Sequence, residues 1–169
     1  MTVLVTAASK HGATFEIAER LALEISACGQ TAVCLRPDDV ADIDGYDGVV
    51  LGSAVYAGHW LKPATELVDR LAPQLQERRV WLFSSGPVGE PDPKPDGDPV
   101  DVAEVVAATG ALEHRILPGK IDRAVLGFAE RAIVRALRVP DGDFRDWDAI
   151  RHFAAQIAAE LGAPARARR

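Results

Sequence analysis

Two rhythms of apolar residues alternate along the chain. Short apolar runs at residues 2–6, 31–35, 49–52 and 80–83 predict strands, and 112–117, which alternates less cleanly, predicts a fifth. Between them the spacing widens to three or four. Ile17, Ala18, Leu21, Ala22 and Ile25 form one stripe of a helix over residues 14–27, and Gly29 supplies its stop. The same period predicts helices over 61–75, 100–108, 121–137 and 147–161. Pro63 falls in the first turn of the second, where its missing N–H costs little. Val80-Trp81-Leu82-Phe83 is apolar throughout, as a strand covered on both faces should be. Strands alternating with helices argue an α/β fold with a parallel sheet between two helical layers.

The chain's 169 residues suit one domain, taken here as residues 1–162 with a short basic tail at 163–169. A net charge of −6 makes nucleic acid a poor partner. The sequence lacks an apolar stretch long enough to span a bilayer and a basic start before an apolar core. The expectation is a cytoplasmic protein with at most transient membrane contact. Cys28 and Cys34 lack metal-ligand spacing and read as free, mostly buried thiols. The acidic run Asp38, Asp39, Asp42 and Asp44 reads as solvated, so no metal is expected.

Ligands of such sheets bind beyond the carboxyl ends of the strands. Three strand exits there are rich in serine and glycine, which lets backbone approach a guest closely. The first, Ser9-Lys10-His11-Gly12-Ala13-Thr14, joins a strand to a helix start, where N–H groups and the helix dipole favour an anion. It has neither the Gly-x-Gly-x-x-Gly of dinucleotide sites nor the Gly-Lys-Ser/Thr of triphosphate sites. Hydroxyls of Ser9 and Thr14 around Gly12 suit a terminal monophosphate, and Thr14 could equally serve as the helix cap. The second exit, residues 52–60, carries Tyr56, His59 and Trp60, able to lie against a flat ring or pack beneath the loop. The third, residues 84–89, leads into a proline-dense segment that ends at Pro99 and forms neither helix nor central strand.

Ser9-Lys10-His11-Gly12-Ala13-Thr14, followed by Ile17, Ala18 and Leu21, resembles the phosphate-binding signature of flavodoxins. Gly52-Ser53-Ala54-Val55-Tyr56-Ala57-Gly58-His59 and Asp143-Phe144-Arg145-Asp146-Trp147 resemble one branch, the menaquinone-dependent protoporphyrinogen dehydrogenases with a flavodoxin domain. The resemblance implies a flavodoxin-like three-layer sandwich with a five-stranded parallel sheet of order 2-1-3-4-5. It implies FMN as cofactor, with phosphate at Ser9, Lys10, His11, Gly12, Ala13 and Thr14. The ring would lie between Ser53, Ala54, Val55 and Tyr56 on one side and Ser84, Ser85, Gly86, Pro87 and Gly89 on the other.

The implied activity is that of a flavin-dependent oxidoreductase of heme biosynthesis, taking electrons from a porphyrinogen and passing them to a quinone. Tyr56 and His59 are its candidate catalytic residues, His59 as a proton or hydrogen-bond donor. Arg115, Lys120, Arg123, Arg131 and Arg135 are candidate cations for an anionic substrate or a solvated face. The alternative is an electron-transfer flavodoxin serving a redox protein. Ala7 and Ala8 replace bulkier residues, and the third exit lacks the aromatic flank of electron carriers. That departure leaves room for a deazaflavin in the same cleft.

Overall fold

The computed structural model describes residues 1–86, 100–136 and 140–163, apart from the side chain of Ile133. Pro87, Gly89 and the tail from residue 164 onward lie outside the described residues. Five strands form the main sheet: β1 (Thr2–Ala8), β2 (Thr31–Leu35), β3 (Gly48–Tyr56), β4 (Arg79–Ser85) and β5 (Glu113–Leu117). All neighbours among them are parallel, and the order is β2-β1-β3-β4-β5. The expected order of a flavodoxin-like sandwich is thus the observed one.

Among the described residues, five α-helices cover the sheet or its carboxyl edge: α1 (Ala13–Ala27), α2 (Lys62–Gln76), α3 (Ala103–Thr109), α4 (Phe128–Ala136) and α5 (Trp147–Gly162). Side chains alternate between the two faces of the strands. Val3, Val5 and Ala7 of β1, with Trp81 and Phe83 of β4, pack under α1 and α5. Leu4 and Ala8, with Val80 and Leu82, pack under α2 and α3. Both faces of the three central strands are dry, which is why β1, β3 and β4 read as near-continuous apolar runs rather than alternating ones. Asp146 caps α5 by accepting from the N–H groups of Asp148 and Ala149 at 3.1 and 2.9 Å.

Three segments depart from the sequence reading. The expected loop at 52–60 is mostly strand: β3 runs on to Tyr56, turns at Ala57-Gly58, and returns as His59–Trp60. Both turn residues have positive φ, +50° and +81°, the geometry of a tight two-residue hairpin. The helix expected from residue 121 begins only at Phe128. Lys120–Ile121 instead pairs antiparallel with Gly142–Asp143. Asp122 then folds its carboxylate back onto the Ala124 N–H at 3.0 Å, a turn that helical spacing alone cannot reveal. α3 likewise starts late, because Val100 and Val102 are spent on the core beside α2. Of the two free thiols, Cys34 is half-buried but Cys28 is exposed, since it falls at the C-cap of α1 rather than on its buried stripe. No described helix is long and apolar enough to cross a membrane.

Candidate functional site

β1 ends at Ala8 and hands the chain to the loop at 9–12. Gly12 sits at φ +91°, where a Cβ would be strained, and α1 starts at the next residue with no side-chain cap. Glu16 is the first helical residue whose N–H finds a backbone partner, the Gly12 carbonyl at 2.9 Å. The N–H groups of Ala13, Thr14 and Phe15 therefore point out of the helix start unpaired by backbone. Thr14 is only 4% exposed, lines the cavity, and its hydroxyl has no hydrogen-bond partner among the described residues. It is not the cap of α1; that position belongs to Gly12.

These groups open into a cavity of about 310 Å³ at the carboxyl edge of the sheet. Ser9, Lys10, His11, Ala13 and Thr14 form one end. Ala54, Val55, Tyr56 and Ala57 form a second wall, and Ser85 and Gly86 a third. The fourth wall was not legible in the sequence. It is Gly119, Lys120, Ile121 and Asp122, then Val125, Leu126, Glu130 and Val134. Ser85 adds a second nearly buried hydroxyl with no partner among the described residues.

Several expected residues are not brought to this cavity. Ser53 is buried; its hydroxyl donates to the Ala54 carbonyl at 2.8 Å and accepts from the Leu61 N–H at 2.9 Å. Ser84 is buried as well, accepting from the Trp60 indole N–H at 2.7 Å and lying 2.8 Å from His114 Nε2. Ser53 and Ser84 are register partners and shape the hairpin from below. His59 is exposed at the hairpin's far corner and outside the cavity lining. Of the five candidate cations, Lys120 lines the cavity, whereas Arg115 is drawn to Glu113 and Gln156 on the far side of β5.

Charge at the loop is arranged from a distance. Glu130 of α4 lies 2.7 Å from Lys10 Nζ and 3.1 Å from His11 Nε2, and accepts from the Gly127 N–H at 2.8 Å. The Lys10 hydrogen bond, ahead of that from Gly127, holds the Glu130 carboxyl down to about 2. Lys10 also lies 5.3 Å from the centre of the Tyr56 ring. Burial, and then the Glu130 charge, push the Tyr56 phenol above its usual range. On the outer side of the loop Arg145, its side chain 6% exposed, donates to Glu16 and to Asp143 at 2.6 Å. It lies 4.6 Å from the centre of the Trp147 ring and reaches the Ala13 carbonyl at 3.5 Å. The Asp143 carboxylate raises the arginine's proton affinity, and the arginine lowers that of Asp143 in return.

A family model described as a flavodoxin domain matches residues 4–148. Comparison of the sequence with curated proteins returns no significant match. A flavodoxin from the domain Archaea superposes with a TM-score of 0.67 at 18% identity, over 96% of this chain and 100% of its own. Oxidised flavodoxin 1 from Bacillus cereus gives 0.59 at 17% identity, over 95% and 97%. Rubredoxin oxygen:oxidoreductase from Desulfovibrio gigas gives 0.60 at 18% identity, over 95% of this chain but 36% of its own. At such identities the structures speak for the fold alone. The domain match implies FMN as the cofactor. The residues present fit its phosphate: a helix start whose N–H groups lack backbone partners, and a threonine that lines the cavity without capping the helix.

Proposed function

The chain belongs to the flavodoxin domain family, and from that premise we propose that it is an FMN-dependent oxidoreductase. The observation that carries this reading is the uncapped start of α1, where the N–H groups of residues 13–15 lack backbone partners and Thr14 lines the cavity. Ser9, Thr14 and the N–H groups of residues 13–15 would hold the phosphate. Tyr56 with Ala54 and Val55, and Ser85 with Gly86, would bound the space for the ring. FMN, when bound, supplies one- and two-electron redox chemistry. The chain's part is to orient it, neutralise its phosphate and keep water from one side. Tyr56, which lines the cavity, would touch ring or substrate, and His59, outside the lining, has no part in this reading.

The finer reading is oxidation of a porphyrinogen with a quinone as electron acceptor. Its support is the resemblance of residues 52–59 and 143–147 to that branch, together with the apolar lining at Val125, Leu126 and Val134. Such a wall suits a flat, largely hydrophobic guest.

The phosphate reading is tested by titrating apoprotein with FMN. Thr14→Val should weaken binding by about 1–3 kcal/mol, the cost of leaving a charged acceptor one bond short. Riboflavin, which lacks the phosphate, should not notice the change. Equal FMN affinity in the variant would remove Thr14 from the site. The quinone reading is tested by mixing the reduced holoprotein anaerobically with a menaquinone analogue. Rapid reoxidation is expected; reoxidation by a redox protein alone would favour an electron carrier.

A further inference from the structure

α4 is a helix with little to hold it. Its nine residues are too few to be stable alone in water. None of its described side chains is buried, and Phe128 is 92% exposed. Among its described side chains, Glu130 and Val134, one turn apart on the same side, are the partly covered ones, and both line the cavity. Among the described side chains of α4, Glu130 is the one with polar ties to the loop at 9–12. Two of its three donors, Lys10 and His11, come from the loop at the opposite end of the cavity. Lys10 continues the connection to the Tyr56 ring on another wall.

Lys10 and His11 are also the only cationic or potentially cationic side chains of the loop at residues 9–14. An anion arriving there meets two donors already engaged by a carboxylate. The carboxylate has no other anchor on the loop, so if Lys10 and His11 turn toward the anion, α4 loses its tie.

We propose that Glu130 is a latch: it holds the α4 wall against the phosphate loop and sets how fast a phosphate-bearing flavin enters and leaves. The flavin rests on the function proposed above; the latch rests on the contacts of Glu130 alone. Glu130 touches two loop side chains rather than any reacting atom, so it is a positioning residue. The depressed carboxyl of Glu130 agrees with a tie that stays charged at neutral pH.

Two measurements on Glu130→Gln test this. The first is amide hydrogen exchange of the apoprotein. Exchange over residues 119–136 should quicken about tenfold, with α1 and α5 unchanged. Lys10→Met opens the same tie from its other end and should do likewise. Unchanged exchange over 119–136 in both variants overturns the latch. The second is the association rate of FMN, read by flavin fluorescence in rapid mixing. It should rise about tenfold in Glu130→Gln, the rate a tenfold looser wall would allow. Quickened exchange with an unaltered FMN rate overturns the control of entry. Wild-type protein that takes up no FMN would overturn the proposed function instead, and the exchange measurement would still decide whether Glu130 ties the wall down.

Discussion

Ala57 has a φ of +50°, in a region that costs an alanine about 1–2 kcal/mol. The turn has no choice, because Tyr56 and His59 are paired across two residues and both must be left-handed. Asn-Gly is the sequence this turn favours, and the chain has Ala-Gly. Ala57→Asn should therefore raise stability by about 1 kcal/mol, seen as a higher thermal midpoint. No gain would place the strain elsewhere in the hairpin. The position also lines the cavity, so the residue trades stability for a small, apolar wall. Trp60, two residues past the turn, packs beneath this loop as part of the core under α2.

At the level of elements, β3 and β4, paired along their length, also make one close side-chain approach. Gly52 stands opposite Phe83 in the register. A Cβ on Gly52 would lie 2.1 Å from the Phe83 ring, and that ring is fully buried. Gly52→Ala should cost about 1–3 kcal/mol or more in urea unfolding. Adding Phe83→Leu should recover part of the loss, because the two changes share one contact. A full, unrecovered loss would mean the glycine serves backbone conformation rather than the ring.

The five strands and the first loop were legible because local pattern suffices for them: apolar runs, then serine and glycine where a helix begins. The direction of Ser53 and Ser84 was not. With both sheet faces apolar, sequence parity does not say which face a strand-end serine takes. Ser85 reaches the cavity and Ser84, one residue earlier, is spent under Trp60. The fourth wall was hidden for a different reason. Glu130 meets His11 across 119 positions, and the spacing of Ile121, Val125 and Leu126 imitates a helix that the Asp122 turn forbids.

Taken as a whole, the molecule holds its first loop from two remote places. Glu130 ties it on the cavity side and Arg145 on the outer side. These ties answer to pH in a defined direction. The Glu130 carboxyl titrates near 2 in the folded chain, below its ordinary 4.5. A depressed carboxyl contributes stability above its unfolded value and loses it as pH falls through the folded one. The tie should therefore be intact above pH 4.5 and fade toward about 2. Limited digestion by an acid-active protease would follow this at exposed Phe128. Wild type and Glu130→Gln should differ in cleavage at pH 4.5 and converge as the pH approaches 2. Equal cleavage at both values would show that the ion pair does not restrain the helix.

Arg145 has a further consequence, in time rather than space. Synthesis runs from the N-terminus, and domains begin to fold in that direction. Residues 9–14 are among the first made, yet the guanidinium that braces Ala13 and Glu16 is made more than a hundred residues later. The loop must wait for its outer brace until the chain has been translated through residue 145. A nascent chain halted earlier would carry every hydroxyl of residues 9–14 and still lack the outer brace of that loop. The brace is in this sense a report that the chain has been made that far.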